Sequence, residues 1–156
     1  MNLLIASDHA GYDLKEALKV RAPAIGITWT DLGPFSAASV DYPDFADRLV
    51  EKLNELGPET HLGVLICGSG VGISIAANRH PEIRAVLAES PEVARLGREH
   101  NHANVLCLGS RIVSTDRAVE LIRAFIEAKP DSGERHLRRV TKLSRPLTQK
   151  PKGATP

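Results

Sequence analysis

A thiol stands at the head of a glycine-rich turn in Cys67-Gly68-Ser69-Gly70-Val71-Gly72. The apolar run Leu62-Gly63-Val64-Leu65-Ile66 precedes it, and Ile73-Ser74-Ile75-Ala76-Ala77-Asn78-Arg79 reads as the helix that follows. Glycines at such a turn let the backbone approach a ligand closely and aim several N–H groups at one point. A helix start adds partial positive charge, which stabilises anions, a thiolate included. A thiolate beside an anion cradle is suited to taking a proton from carbon while the cradle holds the oxyanion that forms.

Other chemistry-bearing residues have a plain reading beside the functional one. Cys67 alone could be a small core residue, since free cysteine is often buried; the glycine turn tips it towards function. Cys107, between Leu106 and Leu108, reads as core. Asp8-His9 follows the first strand-like run. His100 closes the helix that starts at Ser90, either as a cap facing the helix dipole or as a proton donor near neutral pH. Asn101 after it reads as a left-handed cap, and His61, His80 and His102 are expected on the surface. Arg135, Arg139 and Lys142 share one helix face, and Leu137, Val140 and Leu143 form a separate apolar stripe. Such arginines are often only solvated, but two guanidinium groups on one face also grip a phosphate. Arg111 follows the fifth strand. No Cys/His/Asp cluster has metal-ligand spacing.

The turn also competes as a dinucleotide site, with Glu89 where a ribose-binding acid would sit. Its spacing, G-x-G-x-G, is one residue short of that fingerprint, and it follows the third strand rather than the first.

The elements that must position these groups alternate along the chain. Strands are expected at Leu3–Ser7, Ile25–Leu32, Leu62–Ile66, Arg84–Ala88 and Asn104–Leu108. Helices are expected over Asp13–Val20, from Asp41 with Phe45, Leu49, Leu53 and Leu56 inward, and from Ser90 with Val93 and Leu96 inward. Two more carry Leu121, Ile122, Phe125 and Ile126 on one face, and span about Glu134–Leu143. This pattern predicts an α/β fold: a Rossmann-like, doubly wound, five-stranded parallel sheet in a three-layer α/β/α sandwich. Residues 1–145 read as one domain and 146–156 as a mobile tail with no apolar stripe. Ligands of such sheets bind at the C-terminal strand edge, where Asp8, His9, Cys67 and Glu89 would emerge.

Composition sets the remaining bounds. The chain has 156 residues, 42% hydrophobic and 25% charged, which suits a soluble globular protein with a real core. No apolar stretch suffices to span a bilayer, and Asp8 interrupts the first apolar run too early for a signal peptide. Two cysteines on strand-like runs fit a reducing cytoplasm. Net charge is +1, but residues 133–156 hold seven Lys/Arg and one Glu, a net +6, which leaves −5 on residues 1–132. No Tyr or Trp accompanies that basic tail, so a small phosphate suits it better than nucleic acid.

Several segments together match one family. Ser7-Asp8-His9-Ala10-Gly11, Asp41-Tyr42-Pro43, Cys67 to Ser74, Arg79 to Arg84, His100-Asn101, Asn104-Val105-Leu106, Gly109-Ser110-Arg111 and Gly133 to Arg139 carry the match. The chain resembles the type B ribose-5-phosphate isomerases, grouped with the galactose-6-phosphate and allose-6-phosphate isomerases. The resemblance implies an aldose–ketose isomerase with Cys67 as the base that moves a proton between C1 and C2. It implies that the Gly68, Ser69, Gly70, Val71 and Gly72 turn holds the enediolate, with the Ser69 hydroxyl as a proton relay. His100 assists ring opening; Asp8, His9, Tyr42 and Asn101 contact substrate; Arg111, Arg135 and Arg139 hold its phosphate. It implies no metal or other cofactor, and a homodimer or homotetramer with shared active sites. Ser69 stands where many relatives have Thr, and Ile73 stands where a subset has a glutamate base, so the chain is of the cysteine type. Tetrose and hexose phosphates, a nucleotide-binding module and a non-catalytic isomerase subunit are the rival readings.

Overall fold

The computed structural model describes residues 1–144; Arg145 and the tail expected at 146–156 lie outside the described residues. Strands and helices alternate: β1 Asn2–Ser7, α1 Tyr12–Arg21, β2 Thr28–Asp31, α2 Tyr42–Leu56, β3 Gly63–Cys67, α3 Val71–Ala77, β4 Ala85–Leu87, α4 Pro91–Asn101, β5 Val105–Gly109, α5 Thr115–Glu127 and α6 Glu134–Leu143. All pairings are parallel, in the order β2-β1-β3-β5-β4, as expected of a Rossmann-like α/β sandwich. β3 and β5 are buried throughout, as continuous apolar runs covered on both faces must be.

Alternate residues of β1 separate the two cores. Leu3 and Ile5 pack with Leu14 and Leu18 of α1, Ala94 of α4 and Leu121, Ile122 and Phe125 of α5. Leu4 and Ala6 pack with Phe45, Leu49 and Leu53 of α2 and Ile73 and Ala77 of α3. The chain leaves β1 towards one sheet edge and leaves β3 towards the other, by crossovers on opposite faces. The winding therefore reverses between these neighbouring strands, and a crevice opens beyond their C-terminal ends. Asp8 and His9 follow one of the two strands, and Cys67 ends the other.

Several expectations needed correction. Leu56, expected inward on α2, is exposed. The second strand is shorter than Ile25–Leu32, because Ala22–Ile25 coils into a single 3₁₀ turn closed by Gly26 at φ 68°. On α4 the inward residues are Ala94 and Gly97, while Val93 is exposed and Leu96 half-buried. The helix lies so close to β4 that a Cβ on Gly97 would sit 2.8 Å from a Val86 methyl, so only small residues fit beneath it. The left-handed cap of α4 is His102 at φ 51°, and Asn101 is its last helical residue. On α6 the stripe of Leu137, Val140 and Leu143 is not buried within this chain; His136 is the buried residue.

A buried ion cluster ties α1 to the end of β2. Lys15 is fully buried, with Nζ 2.7 Å from both Glu16 Oε1 and Asp31 Oδ2. Lys19 Nζ donates to the same Asp31 oxygen at 2.6 Å, and Gly33 N–H donates to the other at 2.9 Å. Burial by itself would raise the Asp31 carboxyl, but the hydrogen bonds from Lys15, Lys19 and Gly33 outweigh it and hold the group below the usual carboxylate range. Such a carboxylate adds stability above its ordinary value of 3.8, and that stability is lost as pH falls through the lower folded value. Lys15→Ala strands part of this cluster and should cost about 3–5 kcal/mol near neutrality. Its denaturation midpoint in urea should also fall less steeply than the wild type's as the solution is acidified below the ordinary value of 3.8.

Candidate active site

The crevice between β1 and β3 is a cleft of about 480 Å³ lined by Asp8, His9, Ala10, Tyr42, Cys67, Gly68, Ser69, Val71, Gly72, Arg111 and Ile112. Nine of the expected site residues thus meet in one place: Asp8, His9, Tyr42, Cys67, Gly68, Ser69, Val71, Gly72 and Arg111.

Each is held by the element that delivers it. Asp8 is buried, and its Oδ1 accepts from Gly11 N–H at 2.9 Å, which closes the turn into α1. The His9 ring is anchored through Nδ1 to the backbone of Val40, with the carbonyl oxygen at 3.0 Å and the amide nitrogen at 3.3 Å. Its Nε2 has no partner among the described residues. Cys67 is 4% exposed, and Gly70 N–H donates to its Sγ at 3.1 Å. That donor orients the sulfur and gives a thiolate a charge-assisted partner. Cys107 contrasts with it: burial pushes its thiol well up, and the neighbouring Cys67 adds to the effect, so it is inert core, as expected.

Gly70 is the pivot of the turn. It sits at φ 78°, and a Cβ there would lie 2.5 Å from a Leu87 methyl and 2.9 Å from the Leu108 carbonyl carbon. It faces the body of the sheet and does not line the cleft, though its N–H serves Cys67. Ser69 is exposed, and its Oγ accepts from Val71 N–H at 3.3 Å. The guanidinium of Arg111 lies over Gly68, 3.2 Å from where a Cβ would be, and Arg111 N–H donates to Gly68 O at 3.0 Å. The Tyr42 ring packs on Gly72, whose Cβ would come within 2.8 Å. Arg111, His9, Asp8 and Cys67 therefore line one hollow together with residues of the glycine turn.

The other expected residues are elsewhere in this chain. His100, Asn101, Arg135 and Arg139 do not line the cleft. Asn101 borders a second hollow of about 770 Å³ beside β4 and α4, with Arg79, Arg84, Val86 and Leu143. Arg135 and Arg139 are exposed on α6, and His100 stacks on His136. Glu89 is exposed after β4 and lines neither hollow. His136 was not among the expected site residues; its only sequence signal is its place within Arg135-His136-Leu137-Arg138-Arg139. Among the described residues no group of three or more His, Cys, Asp or Glu is placed to hold a metal ion. No described helix is long and apolar enough to cross a membrane.

Known proteins share this sequence pattern and fold. Residues 3–143 match the ribose/galactose isomerase family. The Escherichia coli ribose-5-phosphate isomerase B is 40% identical over 137 residues, which span 88% of this chain and 90% of that protein. The crystal structure of a Thermotoga maritima ribose 5-phosphate isomerase superposes with a TM-score of 0.85 at 43% identity, covering 92% of this chain and 97% of that one. The Mycoplasma genitalium ribose-5-phosphate isomerase B, solved with bound ribulose 5-phosphate, gives a TM-score of 0.84 at 40% identity, covering 92% and 93%. On both sequence and fold, this chain belongs to the ribose/galactose isomerase family.

Proposed function

We propose that this chain is a sugar-phosphate isomerase that interconverts ribose 5-phosphate and ribulose 5-phosphate, with Cys67 as its base. The observation that carries the reading is the buried Sγ at the cleft, in hydrogen-bond contact with the glycine turn and opposite Asp8 and His9. The named relatives supply the pentose. A substrate panel of four-, five- and six-carbon sugar phosphates, ranked by kcat/KM, tests that choice against the tetrose and hexose alternatives.

The chemistry follows from the groups present. The sugar furanose opens first. Its C1–ring-oxygen bond breaks, His100 gives a proton to the ring oxygen, and the C1 hydroxyl releases its proton to solvent as its O–H pair becomes the carbonyl. The Cys67 thiolate then takes the C2 proton. The C–H pair forms the C1–C2 double bond, and the negative charge moves to O1, where the N–H groups of the 68–72 turn receive it. The Ser69 hydroxyl relays the O2 proton to O1. Sγ returns its proton to C1, O2 becomes the ketone, and the thiolate is restored. Asp8, His9, Tyr42 and Asn101 bind the sugar, and Arg111, Arg135 and Arg139 bind the phosphate. No step calls for a metal or redox cofactor. A thiolate base works only while reduced, which supports a cytoplasmic setting.

A second copy of the chain completes the site. Cys67 and Arg111 lie at one cleft, whereas His100, Asn101, Arg135 and Arg139 lie away from it. Apolar side chains remain uncovered on both sides of that division: Val71 and Ile75 on α3, and Leu137 and Leu143 on α6. Pairing two chains head to head brings the α4–α6 groups of each to the cleft of the other and buries these faces. The assembly is then a homodimer or a pair of such dimers.

Cys67→Ala should lower turnover about 10²–10⁴-fold. Its affinity for ribulose 5-phosphate, measured by calorimetry on the same sample, should stay near that of the wild type. A variant that keeps most of its turnover overturns the thiol base. Subunit exchange tests the shared site. After mixing Cys67→Ala with Arg139→Ala protein, each mixed dimer holds one site with both lesions and one with neither. Full random exchange should restore about a quarter of the wild-type sites. No recovery despite proven exchange would mean that each site is built within one chain.

A further inference from the structure

His136 is a buried histidine on the helix that carries Arg135 and Arg139, and its ring faces another imidazole. The His100 and His136 rings stack with centroids 4.5 Å apart and planes 19° from parallel. His136 Nδ1 lies 3.3 Å from the His100 carbonyl oxygen, so it carries the hydrogen and donates. Its Nε2 lies 3.3 Å from Arg135 Nη2 and 3.6 Å from the Asp131 carboxylate, so that edge of the ring faces both a guanidinium and an acid. Those contacts on both ring edges fix the plane of the His136 ring. His100 is held differently. Neither of its ring nitrogens has a hydrogen-bond partner among the described residues, so what orients the ring is the stacked face.

We propose that His136 is a positioning residue for ring opening: it holds the His100 imidazole by its face and leaves both His100 nitrogens free for the sugar. This rests on the reading of His100 as the proton donor to the ring oxygen. A donor whose nitrogens must meet substrate cannot also be oriented through them, so a stacked neighbour is the one contact that fixes it without occupying it. The same histidine joins the donor to the phosphate helix, because its Nε2 is bonded to Arg135. The anomeric end and the phosphate end of the sugar are thereby set by one rigid pair of helices, α4 and α6.

Two variants separate the face from the hydrogen bond. His136→Phe keeps a ring and loses the donor; His136→Asn keeps a donor and loses the ring. The readouts are kcat for ribose 5-phosphate and the dissociation constant of 4-phosphoerythronate, an open-chain acid phosphate that needs no ring opening. His136→Asn should lower kcat at least about tenfold and leave the dissociation constant within about twofold. His136→Phe should keep kcat within about fivefold of the wild type. The double variant His100→Ala/His136→Asn should be no slower than His100→Ala, since the partner acts only through His100. The proposal is overturned if Asn is fast and Phe slow, if the two losses multiply, or if the phosphate probe weakens along with kcat, which marks a merely structural role. If His100→Ala itself turns over normally, it is the underlying reading of His100 that fails.

Discussion

Between the end of β3 and the start of α3 the backbone runs against the sheet with no room for a side chain. A Cβ at Gly70 would collide with Leu87 and the Leu108 backbone, and the residue takes a left-handed φ of 78°. Only glycine meets both conditions. The tight reversal turns the Gly70 amide back onto Cys67 Sγ and starts α3 directly beside the sulfur. Gly68 and Gly72 pass under Arg111 and Tyr42, where a Cβ would lie 3.2 Å and 2.8 Å from them, so the same absence of side chains lets a guanidinium and a phenol ring close over the turn. The cleft exists because the chain is stripped to backbone where the winding of the sheet reverses.

The rest of the molecule divides the work. β1 and β3 lie side by side in the middle of the sheet and deliver the carboxylate, the imidazole and the thiol from rigid strand ends. The buried Lys15–Asp31 pair fixes where β2 ends and the loop to α2 begins; that loop carries the Val40 backbone that anchors His9 and leads into Tyr42, the first residue of α2. The α4–α6 pair carries His100, the proposed proton donor, and the exposed arginines away from that cleft. In the proposed shared site a pentose phosphate is gripped at both ends by two chains, and the exposed apolar residues of α3 and α6 would be covered by that pairing.

The sequence made the sheet legible because β1, β3 and β5 are short, continuous, apolar runs with no other soluble use. It was less clear at the edge: Ile25 belongs to a 3₁₀ turn rather than to β2, since Gly26 reverses the chain there. Periodicity misread α4, where the close approach of helix to strand selects Ala94 and Gly97 over the larger Val93. The local half of the site, Cys67 through Gly72, could be read directly, since its chemistry lies in consecutive residues. His100, Arg135 and Arg139 could be named singly as candidates, but only the resemblance joined them in one site, because no spacing connects His100 with Arg135. His136 lay hidden in a basic run: a histidine among arginines reads as solvated, and only the packing of α6 on α4 buries it.

The central claim is that a proton, held for a moment on sulfur, moves between two carbons. Conversion of ribose 5-phosphate to ribulose 5-phosphate in D₂O, followed by NMR, tests it most directly. A proton resting on Cys67 Sγ exchanges with water, so the account predicts deuterium at C1 of the product, placed on one face of that carbon by the fixed sulfur. Product formed with no deuterium at C1, at a rate that Cys67→Ala matches, would mean that hydrogen passes from C2 to C1 without the sulfur, and would contradict the cysteine base.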